Sequence, residues 1–422
     1  MDRVILHSDG NCFYASCEMM RNPRLRSVPL IVGGDEEARH GIVLAKNDLA
    51  KKCKIQTGEA VISAKRKCSE LVSVPPNYPL YMKYSSLMRE IYLNYTDLVE
   101  NFGLDEAWID ITNSLHLFGK HSTPDECVAT GKQIADTIRS RMWQELGVTV
   151  SVGVSYNKIF AKLGSDMKKP DATTVITRSN YKQTVWTLPV SDLMYVGHAY
   201  TKHFAKLHIF TIGQLARMNP KVLRGLHGMM GEVLWLFANG EDPSTVSKAD
   251  ARAGIKSIGN SMTCIHDVTA DNDIRIALYI LSESVASRLR ECGFFCRTVE
   301  LWVCRNDFVS YTRQAPASCV SQDSNVIFAT AYQIYKRHRS PLPIRKFGVR
   351  AKNLVGDDMK QLSLMPDAAT VERHERFEYT VDTVRNRFGN EIMRRGIMLT
   401  NRRLAGVNPK EDHMVFPVSY FG

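Results

Sequence analysis

The sequence predicts an α+β protein of several domains, and three observations carry that reading. The chain has 422 residues, which at roughly 150 residues per domain makes two to four of them. The apolar runs of the first half follow the order strand, helix, strand, strand, helix, strand, which is the order of a split ferredoxin-like sheet. After a polar, Pro-containing stretch, GEDPSTVSKADARAGIKS, a second α/β pattern begins.

The elements follow one by one. VILHSD is a short apolar strand that ends on Asp9 beside Gly10, after which FYASCEMM takes a helical period. VPLIVGG is a second strand, and GIVLAKNDLAKKC reads as strand, turn and a basic helix starting near Asn47. Beyond the Pro-rich VSVPPNYP, the helix LYMKYSSLMREIYLNYT leads to LVENFGLDEAWIDIT and VTVSVGVSYNKIFAKLGSDM, two strand-bearing runs that flank a helix. From Leu188 to Asp242 short helices alternate with small turns, a small helical domain. The polar stretch after it reads as an exposed linker carrying Lys248, Arg252 and Lys256. The second α/β pattern runs SIGNSMTCIHDV, IRIALYILSESVASRLRECG, TVELWVCR, VIFATAYQIYKRHR and IRKFGVRAKNLV, and the final stretch, from QLSLMPD, holds an amphipathic helix, VERHERFEYTVDTVRNRF.

Composition narrows the function. With 44% apolar and 23% charged residues the chain matches ordinary folded, water-soluble proteins. Lys and Arg number 55 against 44 Asp and Glu, a net charge of +11 that suits a polyanionic partner, nucleic acid or membrane surface alike. No run approaches the roughly 18–20 apolar residues of a membrane span, and the N-terminal stretch lacks the pattern of a leader, so a cytoplasmic location is expected. The ten cysteines are scattered without a CxxC pair, which favours reduced thiols and no structural zinc.

Asp9, Asp105 and Glu106 each stand where an apolar strand meets a turn. Carboxylates gathered in one place repel one another unless a cation joins them, and their hard oxygens favour Mg²⁺ or Mn²⁺. Two such ions roughly 3.5–4 Å apart stabilise the attacking and leaving oxygens of an in-line phosphoryl displacement. The spacing alone equally suits ordinary turn acids that cap the following helices.

The blocks DGNCFYASCE, GIVLAKNDLAKK, GLDEAWIDIT, VSVGVSYNKIFAKLGSDMKKPD and IRKFGVRAKNLV cover residues 1–355 in order. In that order and spacing the chain resembles the Y-family translesion DNA polymerases, the group with the DNA polymerase IV and UmuC branches. The resemblance implies a right-hand polymerase. Its ferredoxin-like palm would take residues 1–12 and 80–175, small fingers 13–79, a helical thumb of helix-hairpin-helix type 176–242 and a linker 243–256. An α/β little finger would take 257–356, and a clamp-binding motif with a C-terminal tail 357–422. The activity implied is error-prone, template-directed DNA synthesis, in which a primer 3′ hydroxyl attacks the α-phosphate of a deoxynucleoside triphosphate, past damaged bases as well as intact ones.

Carried over position by position, Asp9, Asp105 and Glu106 match the catalytic, metal-binding acids for two Mg²⁺ ions, with Mn²⁺ as a substitute, and Gly10 matches the residue whose carbonyl helps hold the second ion. Cys12, Phe13 and Tyr14 fall at the nucleotide. Tyr14 matches the steric gate, whose ring collides with a ribose 2′ hydroxyl; without the resemblance, FYAS suits an aromatic core helix equally well. Lys46, Asn47, Lys51 and Lys52 crowd a helix start where amides and positive charge would grip a triphosphate, and a solvated basic face suits them equally. Here Ala45, Asp48 and Lys51 replace the Thr or Ser, the Tyr and the Arg of the DNA polymerase IV pattern. Lys169 matches a triphosphate-contacting lysine, while Lys158 supports the fold.

For DNA, the thumb's usual Gly-x-Gly phosphate turn is reduced to Gly197, followed by His198 and Ala199, so the hairpin is expected either to bind phosphate poorly or to use His198 instead. Arg297, Arg305, Arg345, Lys346, Arg350 and Lys352 of the little-finger-like strands are placed to straddle a duplex, contacts that position DNA without reading its sequence. QLSLM resembles a sliding-clamp peptide, with Gln361 as the hydrogen-bonding residue and Leu362, Leu364 and Met365 as apolar anchors. The expected partners are therefore primer-template DNA, deoxynucleoside triphosphates and a sliding clamp, with a monomeric chain and no membrane. The competing readings are a non-catalytic DNA-binding relative and a metal-dependent nuclease or cyclase on a similar sheet. Retention of all three acids argues against the first, and the thumb-like segment, the little-finger-like unit and Tyr14 together against the second.

Overall fold

The computed structural model describes residues 2–34, 41–119, 123–251, 254–356 and 368–409. They form two compact units, one of residues 2–34 and 42–251 and the other of 254–356 and 368–409, each around its own apolar core. Along the first unit the chain forms β1 (Ile5–Gly10), α1 (Phe13–Arg21), β2 (Leu30–Gly33), β3 (Val43–Lys46), α2 (Asp48–Lys52), α3 (Val61–Lys67), β4 (Val72–Val74) and α4 (Tyr78–Leu93). There follow β5 (Val99–Phe102), β6 (Glu106–Asp110), α5 (Pro124–Arg141), β7 (Val150–Ser155), α6 (Lys158–Met167) and β8 (Thr173–Ile176).

The main sheet has the order β5-β6-β1-β7-β8, with β1 antiparallel to both neighbours and β8 parallel to β7. Taking β1, α4, β5, β6, α5 and β7 in turn gives the βαββαβ order expected of a ferredoxin-like sheet. β1 and β7 are buried along their whole length; β7 reads as a continuous small and apolar run, whereas β1 also buries His7 and Asp9. The helices are fixed by local chemistry. α5 starts on a capping box between Thr123 and Glu126 with Pro124 in its first turn, and the Asn157 side chain caps α6 by accepting the Phe160 amide at 2.8 Å. α6 lies directly on β7 because residue 153 is glycine; a Cβ there would stand 1.9 Å from the Ala161 carbonyl oxygen.

A smaller sheet, β3-β2-β4, carries α2 and α3 around Ile31, Val43, Val61 and Ala64. Short helices α7 (Tyr181–Thr184), α8 (His198–Lys206), α9 (Ile212–Ala216), α10 (Pro220–His227) and α11 (Met229–Ala238) follow, packed around Phe204, Leu215, Leu223 and Leu234. The stretch expected as an exposed linker is pinned to the first unit as far as Ala249. The Arg3 guanidinium donates to the carbonyls of Asp242 and Ser244, the Ser247 amide donates to Glu100, Arg89 donates to the Ala249 carbonyl, and Val246 is buried. Its carbonyls and one apolar side chain find partners that polarity and proline content do not reveal.

The second unit contains β9 (Ser257–Val268), α12 (Asp271–Glu291), β10 (Phe294–Arg305), β11 (Ser310–Ser321), α13 (Ser324–Arg337), β12 (Ile344–Gly356), α14 (Ala368–Phe388) and α15 (Arg402–Ala405). Its sheet runs β11-β10-β12-β9, antiparallel throughout, and α12 and α13 bury Val299, Leu301, Val349 and Ala351 against Ile274, Leu281 and Ile327. The residues set apart by sequence as a tail join this unit. Arg290 pairs with Glu378 at 2.9 Å and Asp382 at 2.6 Å, and Met398, Leu404 and Ala405 enter the core. Among the described residues no helix is long and apolar enough to cross a membrane.

Candidate active site

The register of the main sheet assembles the acids. In the β1–β6 pair Asp9 stands opposite Glu106 and His7 opposite Trp108, and since side chains alternate along a strand, His7, Asp9 and Glu106 share one face. Asp105 sits in the turn before β6, which Gly103 opens at φ +81°, and the Gly10 amide donates to the Asp105 carbonyl at 2.9 Å. A Cβ on Gly10 would meet the Asp105 Cβ at 3.1 Å and Phe13 at 3.3 Å, so glycine lets the two strand ends approach. All three sequence-predicted acids are thus brought together.

Their charges are only partly matched. Burial first, and then the charges of Asp9 and Glu106, push Asp105 up to about 7. Burial and Glu106 likewise raise Asp9 against the pull of Lys169. Glu106 moves the other way: burial would raise it, but the ion pair with Lys162 holds it below the usual carboxylate range. Lys169 donates to both Asp9 and Asp166 at 2.8 Å, and Lys162 pairs with Glu106 and lies 3.8 Å from Asp9. Among the described residues no cationic side chain pairs with Asp105.

The residues fit a divalent cation. His7 is fully buried and sits with Nδ1 2.9 Å from the Ser165 hydroxyl, which itself donates to the Lys162 carbonyl; Nδ1 therefore carries the hydrogen. Burial keeps the imidazole below its ordinary pKa, and its Nε2, 3.3 Å from Glu106, has no hydrogen-bond partner. One donor atom each from His7, Asp9 and Glu106 lie within 4.8 Å of one another. The converging carboxylate oxygens are the surrounding a hard cation relieves, and the imidazole nitrogen beside them is a softer donor.

This charge pattern has a measurable consequence. With no divalent ion present, Asp105 holds a proton in the folded state that the unfolded chain releases near 3.8, so its stabilising contribution is full below that pH and is lost as pH rises through about 7. Asp9 acts in the same direction; Glu106, with its pKa depressed, loses its contribution only in acid. In chelator the protein is expected to melt lower at pH 8 than at pH 6 by on the order of a few degrees, and added Mg²⁺, which binds the deprotonated acids, narrows the gap; thermal denaturation at the two pH values checks this.

The nucleotide side of the site differs from expectation in detail. α2 is a single turn, so Lys51 and Lys52 lie at its end rather than at its start. The Asn47 side chain, expected beside a phosphate, is buried and consumed by structure: it accepts from the amides of Leu30 and Ala50 and donates to the Val28 carbonyl. Asp48 is paired with Lys51 at 2.9 Å, and the Cys12 thiol lies 3.9 Å from Asp48. Cys12 turns the chain from β1 into α1 at φ 52°. Phe13 is 3% exposed and belongs to the core, whereas Tyr14 is half-buried, its ring stacked on Tyr81 at 4.4 Å and 10°. Burial and then Asp105 push the Tyr14 phenol up to about 12. Lys158 is buried against Glu100 at 2.6 Å, a structural pair.

Gly197 caps α8 in open space, with His198 exposed beside it. In the second unit Arg297 and Arg350 are exposed and Arg345 is half-buried over the Phe308 ring. Arg350 and Lys352 share Glu300 at 3.6 and 3.1 Å, and Arg305 pairs with Asp307. Gln361, Leu362, Leu364 and Met365 lie outside the described residues. Sequence reasoning missed His7, Lys162, Asp166 and Tyr81. The signal for His7 was its place two residues before Asp9 on one strand; for Lys162, Asp166 and Lys169 it was a spacing of three and four along α6 and its exit.

Comparison with known proteins accords with this geometry. Residues 8–166 match the impB/mucB/samB family and residues 255–364 the C-terminal domain of that family. The chain is 48% identical over 406 residues to a DNA polymerase IV of Acetivibrio thermocellus, covering 96% of this chain and 99% of that protein. It is 33% identical over 405 residues to a DNA polymerase IV of Clostridium acetobutylicum, covering 94% and 99%. The chain belongs to the Y family of translesion DNA polymerases. Its fold is also similar to the solved structure of a Y-family DNA polymerase chimera, Dbh-Dpo4(243-245)-Dbh, with a TM-score of 0.71 at 20% identity, over 84% of this chain and 100% of that one. Y-family membership brings a dependence on divalent metal ions, which the acid cluster suits, and primer-template DNA and nucleotides as substrates.

Proposed function

We propose that Asp9, Asp105 and Glu106 are the nucleotidyl-transfer centre of this DNA-directed DNA polymerase, and that the ions they hold are Mg²⁺. The observation that supports the assignment is that Asp9 stands opposite Glu106 at the ends of β1 and β6, with the Asp105 backbone bonded to Gly10 and its carboxyl raised to about 7 by burial and then by the charges of Asp9 and Glu106. Two bound Mg²⁺ ions would supply charge stabilisation to the attacking 3′ hydroxyl and the departing pyrophosphate. The protein's part is to hold the acids in register through the β1–β6 pairing and to keep Lys162 and Lys169 as counter-charges. Lys169, which pairs with Asp9 and Asp166, would be the residue to contact the triphosphate if a cation held the Asp9 carboxylate. Tyr14 tests the sugar from the first turn of α1, and Lys51 and Cys12 flank the phosphates. Gly197, His198, Arg297, Arg345 and Arg350 hold DNA through its phosphates, residues 361–365 dock on a sliding clamp, and the enzyme works as a cytoplasmic monomer.

The test is single-nucleotide insertion and extension on undamaged and abasic templates with Mg²⁺. Extension on both supports the assignment; failure to extend either overturns it. In the same assay Tyr14→Ala is expected to admit ribonucleotides, lowering the preference for deoxynucleotides by on the order of 10²-fold or more through loss of the steric clash. Unchanged sugar selectivity would remove Tyr14 from the gate.

A further inference from the structure

We infer that Glu18 is a positioning residue for sugar selection: by holding the Tyr81 hydroxyl it fixes the ring on which the Tyr14 side chain rests. The inference rests on the reading of Tyr14 as the gate and extends it to the residues behind it.

Glu18 follows Tyr14 by one helical turn on α1, so both side chains leave the same face of the helix. Its carboxylate is buried, 6% exposed, and accepts the Tyr81 hydroxyl at 2.7 Å. Among the described residues it has no ion-pair partner. Tyr81 comes from α4 and is fully buried; its ring lies parallel to that of Tyr14 at 4.4 Å and 10°. Tyr78, one turn earlier on α4, meets both rings edge-on, at 6.1 Å from Tyr14 and 6.0 Å from Tyr81. The chain thus makes a closed clip, Tyr14 to Tyr81 by stacking, Tyr81 to Glu18 by a hydrogen bond, and Glu18 back to Tyr14 through one turn of α1.

A carboxylate buried without a cation costs free energy, and an apolar side chain would fill the same space at lower cost. What the carboxylate adds is direction. Offset parallel rings slide over one another at a small energetic cost, because each atom-pair contact is weak and the preference for one offset is shallow. A short hydrogen bond to the far end of the Tyr81 ring removes that freedom. With Tyr81 fixed, Tyr14 has a rigid back wall, and a gate ring that cannot recede rejects the larger sugar. Loss of the bond leaves the aromatic packing in place and lets the pair shift, which relaxes discrimination between sugars more than it slows deoxynucleotide insertion.

The experiment measures kcat/KM for a deoxynucleotide and its matching ribonucleotide in the full-length protein with Mg²⁺, and takes their ratio. Tyr14→Ala sets the scale of full loss. Glu18→Leu and Tyr81→Phe cut the same bond from opposite ends, so each is expected to lower the ratio about tenfold, and the double variant no further than either single one. Glu18→Gln keeps an acceptor oxygen and is expected to hold the ratio near that of the parent. The inference is overturned if Tyr14→Ala loses selectivity while Glu18→Leu and Tyr81→Phe retain it. It is also overturned if those variants slow both sugars equally, the signature of a scaffold. Should Glu18→Leu fail to fold, Tyr81→Phe decides alone. If Tyr14→Ala itself leaves the ratio unchanged, the gate reading is wrong and this inference falls with it.

Discussion

Asp105→Asn is expected to lower primer extension by on the order of 10³-fold or more, while the variant still binds primer-template DNA and in chelator melts no lower than the parent. The two halves of this result have one cause. Asp105 is the acid without a cationic partner among the described residues, raised to about 7 by burial and by Asp9 and Glu106, so in the absence of a divalent ion its charge is a burden on the fold. Asparagine keeps the shape of the side chain and removes the repulsion. What it would not do is complete the carboxylate set proposed to hold a hard cation at the ends of β1 and β6. Primer extension, equilibrium DNA binding and thermal denaturation in chelator test the three parts separately. Retained turnover would remove Asp105 from the chemistry, and a large loss of stability would show that its carboxylate supports the fold instead.

Gly153→Ala is expected to destabilise the first unit by about 3 kcal/mol and to lower activity with it. An added Cβ would stand 1.9 Å from the Ala161 carbonyl oxygen and 2.6 Å from the Ser165 amide, both backbone atoms of α6 that no rotamer change can move. α6 must lift, and it carries Lys162 and Asp166, with Lys169 just beyond its end. Gly225→Ala in α10 is the control: a Cβ there meets nothing within 4 Å, and alanine in a helix interior gains about 0.5–1 kcal/mol over glycine. Denaturant unfolding of the two variants checks the pair. Equal stabilities would mean that the contact between α6 and β7 yields more easily than its geometry implies.

Much of the site was legible in the sequence because the strands that build it are buried on both sides. A run such as VILHSD has a visible end, and the residue at that end is Asp9; the same holds for the turn that presents Asp105 and the strand that starts at Glu106. The order of elements around the main sheet follows from the same runs. The rest depends on contacts between distant positions. That α2 stops after one turn, and that Asn47 spends its side chain on Leu30, Ala50 and Val28, cannot be seen in LAKNDLAKK. The orphaned Nε2 of His7 and the ion pairs of Lys162 arise only when α6 lies across β1. The pinned stretch up to Ala249 looks like a linker because its composition is polar, yet arginines from Arg3 and Arg89 meet its carbonyls.

The placement of Met398 and Leu404 in the second core bears on how the protein is made. Asn401 bonds to Asp273 across 128 positions and Asn260 to the Pro409 carbonyl across 149. β9 and α12 therefore leave the ribosome long before the side chains that cover them have been synthesised. Domains tend to fold as units during translation, and the core of this one is expected to close fully only after Met398, Leu404 and Ala405 have been synthesised, well after the sheet and α13 that cover most of α12.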